Sequence, residues 1–274
     1  MVDGRDRAAV ATFFSPEPLS GHPEKGSPSR QTDPSPAARD DGKFVPRIVT
    51  LGKDAAHHAR VRRLDVGVRV RLVDGVGGIG SGTLVRVAKT HLAVELGEAA
   101  AVEPPPPVHL LVPVADRDRM LWLAEKSAEL GVTSWRPVLW RRSRSVSPRG
   151  EGAGFQQRVR ARMIAALEQS GGAWLPMLFP DARPEHAIAA TPSEGARILL
   201  SPGGRPILAG ALRSPVSIAL GPEGGFEDDE VDALVAAGFE PASLAESVLR
   251  FETAGVAVLA IVRASLVLTG GGRE

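Results

Sequence analysis

Apolar residues fall into two kinds of pattern along this chain. In residues 66–73 they alternate, at Val66, Val68, Val70 and Leu72, which predicts a half-buried strand. Residues 47–51, 82–87 and 90–96 predict further short strands, and residues 54–64 a short helix with Asp54 as its N-cap. Asp74-Gly75 and Gly77-Gly78 are turn signals. Past residue 107 the pattern changes. Residues 108–114 form a continuous apolar run, which suits a strand covered on both faces of a parallel sheet. Residues 118–130 place Met120, Leu123, Ala124 and Ala128 on one helical face, with Gly131 at the C-terminal cap. Strands are expected at 134–139, 197–200 and 216–220. Helices are expected at 156–169 and at 228–237, the latter with acids in its first turn. Residues 253–268 are apolar nearly all round and predict a buried helix. Strands alternating with helices give an α/β fold with a mostly parallel sheet.

Composition sets the boundaries between these patterns. Residues 20–42 are rich in Pro, Ser, Gly, Asp and Arg and nearly lack apolar side chains, so residues 1–43 are expected to be mostly disordered. Thr12-Phe13-Phe14 stands apart: residues 12–19 are either a first strand or part of the tail. Residues 44–103 then form a small β-rich module. The prolines at 104–107 are a stiff linker, and residues 108–272 form the α/β domain.

Several functional classes are excluded at this level. The chain has no cysteine, which removes disulfides, thiolate metal sites and cysteine nucleophiles and agrees with a cytoplasmic location. Residues 254–262, the longest apolar run, are too few to cross a bilayer, so no membrane partner is expected. A formal net charge of +1 means that a nucleic-acid partner would need a local basic patch.

Two loops concentrate the candidate chemistry. Gly221-Pro222-Glu223-Gly224-Gly225 and Leu244-Ala245-Glu246-Ser247 each follow a short apolar run and precede a helical pattern. Loops at the carboxyl ends of strands are where open α/β sheets bind ligands. The first loop has neither dinucleotide-fingerprint spacing nor the Lys-Ser/Thr of a P-loop. Beyond the second loop, Arg250 and Glu252 either bind an anion and a cation or pair with each other. Arg136, Arg141, Arg142, Arg144 and Arg149 form a basic segment, either a solvated face or a phosphate-binding one. Arg60, Arg62 and Arg63 add a second basic group. His57-His58 lacks a third ligand at metal-binding spacing, so no metal is expected.

Leu220-Gly-Pro-Glu-Gly-Gly-Phe226, Ala237-Gly-Phe239, Ser243-Leu244 and Leu249-Arg-x-Glu-Thr-Ala254 together resemble a known C-terminal signature. It is that of the bacterial 16S ribosomal RNA uridine-N3 methyltransferases, of the SPOUT or α/β-knot superfamily. Lys126-Ser-Ala-Glu-Leu-Gly-Val132 and Glu168-Gln-Ser-Gly171 resemble further family segments, and residues 57–67 resemble its PUA-like β-barrel module. The resemblance covers most of residues 45–270. It implies a trefoil-knotted sheet, a homodimer, 16S rRNA of the small ribosomal subunit as partner, and S-adenosylmethionine as cofactor. The cofactor residues it implies are Leu199, Leu200 and Ser201, then Leu220, Gly221, Pro222, Glu223, Gly224 and Gly225, then Leu244, Ala245, Val248, Leu249 and Thr253. Arg250 would stabilise charge on the target base or grip its phosphate, and Glu252 would orient Arg250 or accept the proton. RNA contacts would come from Arg60, Arg62, Arg63, Arg141, Arg142 and Arg144. The chain departs from the family at Ala245-Glu246, where Gly-Pro is usual, at Gly172, where arginine often stands, and in the added segment 20–42. The same fold acting on another rRNA or tRNA base, or a non-catalytic RNA-binding protein, are the alternatives.

Overall fold

The computed structural model describes residues 9–20, 47–145, 148–207 and 212–270. The disorder expected for residues 1–8 and 21–43 falls outside the described residues. The chain divides into two compact units, Met1–Glu103 and Pro104–Glu274.

Among its described residues, the first unit is a curled five-stranded sheet with one helix. Its strands are β1 (Thr12–Phe14), β2 (Arg47–Leu51), β3 (Arg69–Val73), β4 (Gly78–Val87) and β5 (Leu92–Ala101), in the order β1-β3-β4-β5-β2. β1 runs parallel to β3 and the other pairings are antiparallel. Phe13 is fully buried among Leu51, Leu72, Leu84 and Leu92, which explains why an apolar triplet stands in an otherwise polar N-terminal stretch. Buried Asp74 closes the β3–β4 turn. Its Oδ1 accepts from Val76 N at 2.9 Å and Gly78 N at 2.8 Å, and its Oδ2 accepts from Leu19 N at 2.8 Å. Gly78 has no alternative there, since a Cβ would lie 2.1 Å from Asp74 Oδ2.

Helix α1 (Lys53–Val61) begins one residue earlier than expected. Gly52 therefore takes the N-cap position, and Asp54 lies inside the first turn, where it favours the helix dipole instead of capping. The helix ends with Leu64 N donating to Ala59 O at 2.9 Å and Arg63 at φ 54°.

The second unit is a six-stranded parallel sheet covered on both faces. Its elements are β6 (Val108–Pro113), α2 (Arg117–Glu129), β7 (Ser134–Val138), a 3-10 turn (Arg141–Ser145), α3 (Ala153–Ser170), β8 (Met177–Leu178), α4 (Pro184–Ala189), β9 (Ala196–Pro206), β10 (Val216–Ala219), α5 (Asp228–Ala236), β11 (Glu240–Ser243) and α6 (Phe251–Gly270). The strand order is β11-β9-β10-β6-β7-β8, with every pairing parallel. On one face Leu110 and Val112 pack with Met120, Leu123, Val159, Met163, Val258 and Leu259 of α2, α3 and α6. On the other, Leu111, Val138 and Leu199 pack with Trp140, Ala187, Leu234 and Phe239. Covering both faces is why β6 reads as a continuous apolar run.

Two expectations change. Helix α6 is not buried all round. Val258, Leu259, Val262 and Leu266 are buried, whereas Ala260 and Ala264 are exposed, because only one side of the helix meets α2 and the sheet. Strand β9 also runs past residue 200 to Pro206, with β11 along it. β11 reads Glu-Pro-Ala-Ser and lacks any apolar pattern; a proline strand of this kind is tolerated at a sheet edge, where β11 lies.

Candidate functional site

The site follows from an irregularity in β9. Its pairing with β11 steps from Pro241↔Leu199 to Ala242↔Arg205, so residues 200–204 are pushed out of the ladder. Gly204 permits the close return, since a Cβ there would lie 2.4 Å from Ala242 N. The extruded segment stands beside the loops that leave the carboxyl ends of β10 and β11. Together they enclose a pocket of about 360 Å³. This size is ordinary for small-molecule sites, and its place outside the carboxyl strand ends is the usual one for parallel α/β sheets.

The pocket has three walls. Leu200, Ser201 and Pro202 come from the bulge in β9. Leu220, Gly221, Pro222, Glu223, Gly225 and Phe226 come from the loop after β10, and Asp228 and Val231 from α5 behind it. Leu244, Ala245, Ser247, Val248 and Leu249 come from the loop after β11, with Phe251 and Ala254 of α6 closing the end. Apolar side chains, loop backbone and the carboxylates of Glu223 and Asp228 therefore meet around one space. This donor set fits a ligand with a flat apolar face, polar edges and a positive charge.

The loop after β10 is braced from outside the pocket. Arg142, in the 3-10 turn, donates from Nε and Nη2 to the two oxygens of Glu227 at 3.0 and 3.1 Å, and from Nη1 to Gly224 O at 2.7 Å. The neighbouring carboxylate raises the pKa of the Arg142 guanidinium further. Glu230 is buried and doubly used. Its Oε1 accepts from Arg141 N at 2.9 Å and its Oε2 from Glu227 N at 2.9 Å, while Glu227 and Glu230 form a capping box on α5. Arg141 also pairs with Asp229. Phe226 packs edge-on against Trp140, with ring centroids 4.9 Å apart.

Arg119 approaches from a third direction. Asp116 Oδ1 caps α2 by accepting from Asp118 N at 3.1 Å and Arg119 N at 3.0 Å. The Arg119 guanidinium then reaches Glu223 Oε1 at 3.0 Å and lies 3.7 Å from Glu252 Oε1. The side chain of Glu252 is only 12% exposed, and its other oxygen is buried without a hydrogen-bond partner among the described residues.

The structure thus gathers Leu200, Ser201, Leu220, Gly221, Pro222, Glu223, Gly225, Leu244, Ala245, Val248 and Leu249 around one pocket. Leu199 points instead into the core beside Trp140 and Phe239, because alternate residues of a strand face opposite sides. Gly224 faces Arg142, and neither Gly224 nor Thr253 is among the lining residues. Arg250 is exposed at the start of α6 and makes no ion pair among the described residues, so Glu252 orients itself on Arg119 and not on Arg250.

Of the basic residues, Arg141 and Arg142 are engaged in holding the loop and α5. The side chain of Arg144 lies outside the described residues. Arg60, Arg62 and Arg63 are exposed together at the end of α1, with Arg62 Nη1 donating to Val10 O at 3.3 Å. His57 is exposed and His58 packs edge-on against Phe13. Pro202 falls within the first cofactor loop, residues 199–203, that the resemblance implies, whereas Arg119, Phe226, Val231 and Phe251 were not expected as site residues. Arg119 gave no local signal, since Glu223 is 104 residues away.

The sequence profile of the RNA methyltransferase domain family matches residues 102–263. That is more than half the chain. The chain belongs to the RNA methyltransferase domain family. The profile of the RNA methyltransferase PUA domain matches residues 51–97. Two similar family proteins are the ribosomal RNA small subunit methyltransferase E of Synechocystis, 29% identical over 82% of this chain and 75% of its own length, and that of Mycobacterium bovis, 28% identical over 78% and 85%. Among solved structures, the small subunit methyltransferase E of Neisseria gonorrhoeae, bound to S-adenosylmethionine, is 26% identical with a TM-score of 0.74. The similarity covers 92% of this chain and 96% of that one. A methyltransferase from Legionella pneumophila, 23% identical with a TM-score of 0.72 over 93% and 97%, shares the fold. The α/β fold expected from the sequence, a parallel sheet flanked by helices with a small N-terminal β-rich unit, is shared with the Neisseria structure.

Proposed function

We propose that the protein transfers a methyl group from S-adenosylmethionine to N3 of a uridine in 16S rRNA of the small ribosomal subunit. The observation that carries this reading is the three-walled pocket at the carboxyl ends of β9, β10 and β11, in a chain of the RNA methyltransferase domain family. The cofactor would supply an activated methyl on a positively charged sulfur. Leu200, Leu220, Leu244 and Leu249 would cover its apolar face, and backbone groups of the glycine-containing loop would read its polar edges. Glu223 would lie on the side of the positive charge. Leu199, Gly224 and Thr253 would support the walls from behind.

Methylation at N3 requires the base to lie in line with the methyl group and the N3 proton to leave. The charge that develops on the flanking carbonyl oxygens needs a nearby cation. Arg250, exposed beside the pocket, is suited to that role or to a target phosphate. Glu252 is suited to accept the proton. Arg60, Arg62 and Arg63, exposed within the region matched by the PUA profile, suit contacts to the RNA backbone. The partly exposed apolar residues Val256, Ala257 and Ile261 on α6 support a homodimer. A trefoil knot and action in the cytoplasm complete the reading.

Small subunits lacking the modification, incubated with the protein and S-adenosylmethionine, provide the test. Nucleoside mass spectrometry of the 16S rRNA should show one new 3-methyluridine. A different methylated nucleoside, or none, would sink the proposal.

A further inference from the structure

Arg119 reaches carboxylates on two of the elements that border the pocket, the β10 loop and the start of α6. It stands on α2, fixed at the backbone by the Asp116 cap, and meets Glu223 of the β10 loop and Glu252 at the start of α6. Two carboxylates near one small-molecule pocket repel each other and raise its affinity for any cation. A guanidinium between them cancels part of both effects.

This matters for a reaction in which charge disappears at the ligand. The methyl donor carries a positive sulfur, and the demethylated product is neutral. A bare carboxylate beside the sulfur would stabilise the donor more than the transition state, in which the positive charge is already fading. We infer that Arg119 is a positioning residue that tempers Glu223, so that the pocket holds the cationic donor without over-stabilising it against the neutral product. The inference rests on the reading of the pocket as a methyl-donor site. Nothing in the sequence pattern marked Arg119, and its role is defined by the 3.0 Å contact to Glu223.

The same bridge also ties the two loops mechanically, and the experiment has to separate the two roles. Titration calorimetry of the full chain with S-adenosylmethionine and, separately, with S-adenosylhomocysteine gives the ratio of the two affinities. In Arg119→Gln the preference for the cation should rise about fivefold over wild type. The turnover number should fall while KM for the donor does not rise. Arg119→Lys, which keeps the charge and loses the fork, should leave the ratio near the wild-type value. Glu223→Gln should lower the preference, and Arg119→Gln added to it should have no further effect on the ratio. Equal weakening of both ligands in Arg119→Gln, with an unchanged ratio, would reduce Arg119 to a mechanical brace and overturn the inference. So would a rise in the ratio that persists in the Glu223→Gln background. Failure of the wild-type protein to bind either ligand would instead overturn the donor-site reading itself, and this inference with it. Melting temperatures of the variants, compared with Arg119→Lys, identify a loss that comes from unfolding.

Discussion

The two loops that form most of the pocket differ in how they are held. Residues 221–225 are held from two directions, by Arg142 on Gly224 and by Arg119 on Glu223, and are followed by a capped helix whose Glu230 ties in the 3-10 turn. Residues 244–250 make no side-chain hydrogen bond or ion pair among the described residues, and Ala245, Glu246, Ser247, Val248 and Arg250 are exposed. Val248 is 78% exposed although it lines the pocket. The first loop is built as a preformed wall. The second leaves Val248 and Arg250 exposed, and in the proposed function this is the side from which the RNA arrives. Loops with few buried contacts open at low free-energy cost, which suits the part of a site that must admit a large RNA.

The comparison predicts that Arg250, at the end of the second loop, acts on turnover, and that the bracing of the first loop by Arg142 and Glu230 acts on cofactor binding and stability. The largest effect is expected for Arg250→Ala. Single-turnover methylation of small subunits should slow about a hundredfold, the usual loss for a charge-stabilising group, with cofactor affinity within about twofold of wild type. Wild-type turnover in this variant would break the assignment of the chemistry to the second loop. Next comes Glu230→Gln. Its carboxylate satisfies two backbone N–H groups from a buried position, and an amide can accept from only one of them. Stability measured by urea unfolding should drop by about 2 kcal/mol. A drop below about 0.5 kcal/mol would mean that the turn and α5 are held together by something other than this carboxylate.

Much of this division was legible in the sequence, and the missing part has a physical cause. The first loop was visible because glycine, proline and a preceding apolar run are local signals, the second through the Ser243-Leu244 and Leu249-Arg250 segments of the family signature, and β6 because a strand covered on both faces is apolar throughout. The bracing was not visible. Arg142 and Glu227 are 85 residues apart, and an arginine in a basic run looks the same whether it faces solvent or clamps a loop. β11 was hidden for a related reason. As an edge strand it has few neighbours, so its Glu-Pro-Ala-Ser sequence is under little pressure to be apolar. The departure from the family's glycine at Ala245 leaves no strain in the backbone. Glycine there would be required only at positive φ, and among the described residues Arg63 is the only non-glycine in that region.

The two smaller predictions test the bracing directly. Arg142→Ala removes the fork on Glu227 and the bond to Gly224 O, both at an exposed position where water competes. Cofactor affinity should fall about threefold by calorimetry, and raised salt should weaken the wild-type protein toward the variant. An unchanged affinity would show that the first loop keeps its shape without this brace, and the contrast between the loops would narrow to Arg119 and Glu230. The smallest effect belongs to Ala245→Gly. Because Ala245 already has an ordinary backbone conformation, glycine relieves no strain and only adds freedom to a loop that is not tied down. Affinity should therefore drop by about twofold, corresponding to an entropic cost of roughly 0.5 kcal/mol. A gain in affinity would mean that the bound loop requires a left-handed residue at 245. The second wall would then have to change its backbone when the cofactor enters, whereas the first would not.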